Sequence, residues 1–176
     1  MPLNTIFRRF GSSDAIHEIY RIIVERARHP QFYTEFGVPD TVDGRFEMVT
    51  LHAFLVLRRL KRTSESASDT SQALFDVMFE DMDLSLREMG AGDMGVGKRV
   101  KAMVQAFYGR TASYEAGLAR PAEEMENALS RNVYATVTPK AGDLSGLAAY
   151  IHAQDTHLAG FDRKDIEAAN FAFGEF

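Results

Sequence analysis

Apolar residues recur along this chain at helical spacing, and the longest such stretch, FEMVTLHAFLVLRRL from Phe46 to Leu60, is apolar on nearly every side. A helix of that kind is surrounded by other helices, because no face of it favours water. At 15 residues, with Glu47 and His52 inside it, the run falls short of the about 20 apolar residues that a membrane span requires. Ahead of it, Ile16, Ile19, Tyr20, Ile23 and Ala27 mark a helix with Ser12 or Ser13 as its N-cap and Pro30 just beyond its end. Between the two, QFYTEFGVPDTVDGRF is rich in turn formers and reads as a structured loop, with the second helix following at once.

After a polar Ser/Thr linker, Phe75, Phe79, Met82, Leu86 and Met89 form one stripe of a long amphipathic helix, and Asp76, Glu80, Asp83 and Arg87 form another. The glycines Gly90, Gly92, Gly95 and Gly97 follow, and Val96, Val100, Met103, Val104 and Phe107 begin the next helix, which continues or kinks at Gly109. Pro121 opens a further helix at its first turn, where proline is tolerated. LSGLAAYIHAQDTHLAGF is another helix, and DRKDIEAANFAF adds a short last one. With no strand series, the pattern predicts an all-α, single-domain bundle of six to seven helices with a glycine-rich turn between two long ones. Residues 1–12 are expected to form a basic amphipathic segment ahead of a helical domain over 13–176.

Composition narrows the function classes. The chain has 176 residues and no cysteine, which excludes disulfides, thiolate metal sites and thiol nucleophiles. Its net charge of -5 argues against general nucleic-acid binding. That charge is uneven, with ten Lys and Arg against seven acids in residues 1–62 and ten against eighteen thereafter. Leu3, Ile6, Phe7 and Phe10 beside Arg8 and Arg9 form a segment suited to an anionic membrane surface or to docking on the protein's own core. Together with Arg58, Arg59, Lys61 and Arg62, it suggests transient residence at the inner face of the cytoplasmic membrane; the cations of the second group also suit a helix C-terminus. The N-terminus lacks the layout of a secretory signal, so a cytoplasmic protein is expected.

The candidate chemistry is sparse. Gly92 to Lys98 spells G-x-x-x-x-G-K, yet Arg99 stands where a phosphate loop needs a hydroxyl for magnesium, and a charged helix precedes it where a buried strand belongs. A small-ligand or nucleotide site at residues 90–98 is therefore the alternative reading, and a tight interhelical turn is the favoured one. Glu80, Asp81, Asp83 and Glu88 lack calcium-loop spacing, and His152 and His157 are five apart rather than four, so no metal is expected. His52 reads as a hydrogen-bonded core histidine. No catalytic constellation emerges, and no cofactor is implied.

Three stretches in order, FYTEFGVPDTVDGRFEMVTLHAFLVLRRL, FEDMDLSLREMGAGDMGVGKRVKAM and FYGRTASYEAGL, closely resemble the ubiquinol-cytochrome c chaperone family, assembly factors of the respiratory bc1 complex. The first signature falls on Phe32, Tyr33, Gly37, Pro39, Asp40, Thr41, Gly44, Arg45, Phe46, Leu51 and His52. The second falls on Asp81, Met82, Asp83, Leu86, Arg87, Glu88, Met89, Gly90, Gly92, Asp93, Val96 and Lys98, and the third on Phe107, Tyr108, Gly109, Arg110 and Tyr114. Beyond Leu118 the resemblance fades. It implies a chaperone without enzymatic activity that holds newly made cytochrome b, and the mitochondrial relatives work with a small second subunit and at the ribosome exit. Lacking their long N-terminal extension, the chain is expected to be a bacterial-type member, which leaves the small subunit and the ribosome open.

A holder of membrane-protein segments needs an adaptable apolar groove, and 8 Met and 13 Phe supply flexible contact. Arg45, Arg87, Lys98 and Arg110 are candidate donors to the client, with Asp81, Asp83 and Asp93 positioning them, and Pro39, Asp40, His52, Glu88 and Tyr108 complete the candidate partner surface. An internal ion-pair network ordering the glycine turn is the competing role for the same charges.

Overall fold

The computed structural model describes residues 3–63, 68–88, 90, 92–140 and 142–176; for residues 3–12, Thr63, Ser68, Asp93 and Met94 it describes the backbone course alone. Those residues form α1 (Leu3–Ala27), α2 (Gln31–Thr34), α3 (Val42–Thr63), α4 (Ser68–Glu88), α5 (Asp93–Ala119), α6 (Ala122–Asn132), α7 (Asp143–Leu158) and α8 (Arg163–Glu167). No strand occurs among them. The expected bundle is thus built from six long helices, with single-turn α2 and α8 at its connections.

Helix α3 is the axis. Every residue from Phe46 to Val56 is buried, and α1, α4, α5, α7 and α8 pack around it. This is the arrangement that a helix apolar on all sides demands. Helix α5 is joined to α4 and α6 by short connections, and α7 closes the bundle against α3 and α6. Residues 170–176 run without helix over α1 and α7, where Gln154 Oε1 accepts the Gly174 N–H at 2.7 Å and the Arg26 guanidinium donates to the Gly174 carbonyl at 2.6 Å.

Element starts depart from the periodicity in three places. Helix α1 passes straight through Ser12 and Ser13, which are interior residues and not its N-cap. Helix α5 holds Gly95, Gly97 and Gly109 within it, unbroken, and the turn rests on Gly90 at φ +84°. Helix α3 begins at Val42, a turn before the apolar run. Thr41 Oγ1 accepts the Gly44 N–H at 3.1 Å, capping that first turn. Gly44 has no room for a side chain, since a Cβ there would lie 2.0 Å from the Pro39 carbonyl oxygen.

That contact makes Gly44 and Gly109 opposites. Nothing lies within 4 Å of a Cβ built on Gly109. Gly44→Ala is expected to destabilise the protein by about 2–3 kcal/mol, whereas Gly109→Ala should stabilise it by about 0.5–1 kcal/mol, as expected for an exposed helix interior. Urea unfolding of both variants checks the pair, and equal effects would refute the steric account.

Candidate functional site

A groove of about 780 Å³ opens between the first turns of α3, the end of α4, one face of α5 and the segment that follows α6. Helix α5 faces it with Arg99, Ala102, Met103, Ala106 and Arg110, which recur at three- and four-residue spacing and so share one side of the helix. The hollow exists because that stripe is narrow at Ala102 and Ala106. Phe46, Leu86 and Val133 add apolar surface from three other elements. Val42, 56% exposed, also lines the groove, and exposed Val137 follows the lining residue Thr136.

One ion pair anchors the groove to the core. The Arg110 Nε lies 2.6 Å from both carboxylate oxygens of Glu47, a residue only 4% exposed. Burial pushes the Glu47 carboxyl above its ordinary value, and the Arg110 guanidinium opposes that shift. The same guanidinium lies 5.8 Å from the Phe46 ring centroid. One turn further along α5, the Tyr114 hydroxyl is buried beside the Asn132 side chain, and burial raises its pKa strongly.

The sequence candidates divide around this site. Pro39 and Arg110 line the groove. Asp40 of the α2–α3 connection pairs with Arg45 in the first turn of α3 at 2.7 Å, both exposed, and Asp83 pairs with Arg87 at 2.5 Å along α4. Asp81 accepts a hydrogen bond from Tyr20 at 2.7 Å, tying α4 to α1. Glu88, Lys98 and Tyr108 are exposed, with Tyr108 stacked on Phe75 at 5.8 Å. The Asp93 side chain, and those of Phe7, Arg8 and Arg9, lie outside the described residues. Of the three acids expected to position the arginines, Asp83 does hold Arg87, whereas Asp81 is engaged by Tyr20. The acid on Arg110 is Glu47, whose signal was a charge inside an otherwise apolar run.

His52 has no access to a partner. It is 0% exposed, with Nδ1 2.7 Å from the Met48 carbonyl and Nε2 2.9 Å from the Tyr150 hydroxyl. Burial lowers its pKa from 6.5 to about 4. Arg58, with a side chain 8% exposed, turns into ion pairs with Glu115 and Asp155, and Arg59 Nε donates to the Phe161 carbonyl at 2.7 Å. Both guanidiniums thus serve contacts within the fold, Arg58 with α5 and α7 and Arg59 with the α7–α8 connection, while Lys61 and Arg62 remain exposed. At the glycine cluster, the N–H groups of Gly95 and Val96 bond to the Gly92 carbonyl at 2.8 and 3.1 Å as α5 begins. These amides are turned into a helix rather than around an anion.

The model of the ubiquinol-cytochrome C chaperone family matches residues 34–173, well past Leu118 where the resemblance in the sequence fades. Among curated proteins, ubiquinol-cytochrome-c reductase complex assembly factor 1 of Xenopus laevis is 24% identical over 148 residues, covering 84% of this chain and 74% of the frog protein. Its Homo sapiens counterpart is 24% identical over the same share of this chain, which spans 50% of the human protein. The crystal structure of the Cbp3 homolog from Brucella abortus superposes with a TM-score of 0.86 at 34% identity, covering 99% of this chain and 97% of the other.

Two measurements test the site's electrostatics. Arg110→Met leaves a buried carboxylate without its cation and should cost about 3 kcal/mol, whereas the double variant with Glu47→Met should cost clearly less; additive losses in urea unfolding would show that the pair is not coupled. Because the folded His52 binds its proton only near pH 4 and the unfolded one near 6.5, stability is retained above pH 6.5 and falls as pH drops to 4. The loss is about 3 kcal/mol at full extent. His52→Gln should flatten that part of the pH profile; an unchanged slope would assign it to other groups.

Proposed function

Because the chain belongs to the ubiquinol-cytochrome C chaperone family, we propose that it is a non-enzymatic assembly factor that holds newly made cytochrome b while ubiquinol-cytochrome c reductase is built, and that the groove is where it holds its client. One observation carries the reading. Pro39, Gly44 and Phe46 of the first signature, Leu86 and Gly90 of the second and Arg110 of the third converge on this groove, although they are spread over 72 positions of chain. Residues spread so far along the chain are drawn to one concave, largely apolar surface.

The chemistry of that surface suits a holder. An unassembled membrane-protein segment exposes apolar side chains, and covering them removes about 25 cal/mol per Å² of cost. Met103 supplies a flexible, polarisable contact, and exposed Val42 extends the apolar rim. None of the described helices is long and apolar enough to cross a membrane, so the client is met at the membrane face rather than within it in this reading. Exposed Lys61 and Arg62 at the end of α3 support contact with that face, at the cytoplasmic side.

The test is recovery of cytochrome b with the tagged protein from its own cells, together with the level of assembled reductase. Val42→Asp and Met103→Glu place a carboxylate on the apolar lining and should lower cytochrome b recovery about tenfold. Leu84→Asp, at a residue 55% exposed and away from the groove, should not. Failure of the unaltered protein to recover cytochrome b would overturn the client assignment, and full recovery with both groove variants would overturn the site.

A further inference from the structure

Arg99 is the cation of this groove without an internal role. It is exposed on α5, and among the described residues no hydrogen bond or ion pair includes it. An exposed arginine on a helix is usually only solvated. Arg99 differs in lining the groove beside Leu86 and one turn from Met103. The other charges of the groove, Asp43, Glu47 and Arg110, gather at the opposite end and act on one another. Arg110 lies eleven positions beyond Arg99 along the helix, about 16 Å. The groove therefore has an open cationic end, an apolar middle and an end where two carboxylates flank a guanidinium already engaged.

The dimensions admit a short helix. A span of about 16 Å is roughly three helical turns, and a helix of that length with its side chains occupies on the order of 1,500 Å³. A hollow of about 780 Å³ accommodates about half of it. Ala102 and Ala106, four residues apart, let a second helix approach α5 closely. Resting on the assembly-factor reading, we infer that the groove receives an apolar helical segment of the client that carries one carboxylate side chain, seated against Arg99, with its apolar face along Ala102, Met103 and Ala106. At the far end Arg110 is already engaged by buried Glu47 and exposed Asp43 repels a second carboxylate, so the charge also sets the direction in which the segment lies.

The test uses the full chain and fluorescein-labelled, capped Leu/Ala peptides of about twelve residues, each with one polar residue near an end, either Glu, Gln or Lys. Anisotropy titrations should show the Glu peptide binding roughly fivefold tighter than the Gln peptide, with the Lys peptide weakest. Arg99→Gln should erase the discrimination and Arg99→Glu should invert it toward Lys. Thermal melting of both variants checks that the fold is kept, as the exposed position leads one to expect. Equal affinity of the unaltered protein for all three peptides, or a Glu preference that survives Arg99→Gln, overturns the inference, as does an absence of binding to any of them. Cytochrome b recovery separates the two failures: if it persists while discrimination is absent, the assembly reading stands and the acidic-segment reading falls.

Discussion

Helix α3 is buried over the whole of Phe46–Val56, and this constraint organises the molecule. A helix without a solvent face needs neighbours on all sides, and a polar group left unanswered in it costs stability; His52 and Glu47 are answered, whereas the buried Thr50 hydroxyl has no hydrogen-bond partner among the described residues. His52 is answered by Tyr150 of α7 and by the Met48 carbonyl, and Glu47 by Arg110 of α5. Apolar closure is nondirectional, so it favours compactness without choosing which turn of α5 meets which turn of α3. The Glu47–Arg110 contact makes that choice, since sliding α5 by a turn would leave a carboxylate buried without its cation.

The groove follows from how α3 enters the bundle. The Pro39 carbonyl occupies the place where a side chain on residue 44 would stand, and the Thr41 hydroxyl caps the first turn. The helix therefore starts at Val42 with three polar or small residues before Phe46, and those early turns lack the bulk that fills the space beside α5 further on. On α5 the facing positions are Ala102 and Ala106. Two lean surfaces meet, and the space between them is lined by Phe46, Leu86 and Val133 without being filled. Packed interiors leave few voids of that size, which is why an apolar hollow open to solvent points to an external occupant.

How much of this was legible in the sequence depends on whether the signal was local. The helices α3, α4 and α7 were readable because burial imposes a period, and the three signatures that converge on the groove were readable as a resemblance. The start of α3 was not, because Asp43 and Gly44 are turn formers by local preference, yet they lie in the first turn that the Thr41 hydroxyl caps. Gly95 and Gly97 misled in the same direction, since a long helix tolerates each at modest cost. Partners were the least legible. Arg58 looked like a cation closing a helix, yet Glu115 and Asp155 lie 57 and 97 residues away. Glu47 was the recoverable case: an acid inside a run that must be buried all round requires a cation, though periodicity alone does not say that Arg110 supplies it.

The same ion pair also bears on why the groove stays open. A buried pair is weak evidence for stability, since a matched apolar pair at such a position is often as stable or more so. What an apolar pair lacks is a need for water. The Glu47 side chain is 5% exposed and the Arg110 side chain 22%, so the pair joins the dry core to the groove with its cation on the wet side. Drawing α5 down onto α3 would strip that remaining hydration from the guanidinium, a cost that aliphatic side chains would not impose. The pair thus fixes the register of two helices and resists their collapse into the space between them. In the proposed role, a client segment covering the groove would meet a surface already held apart, and its apolar burial would not be spent on opening one.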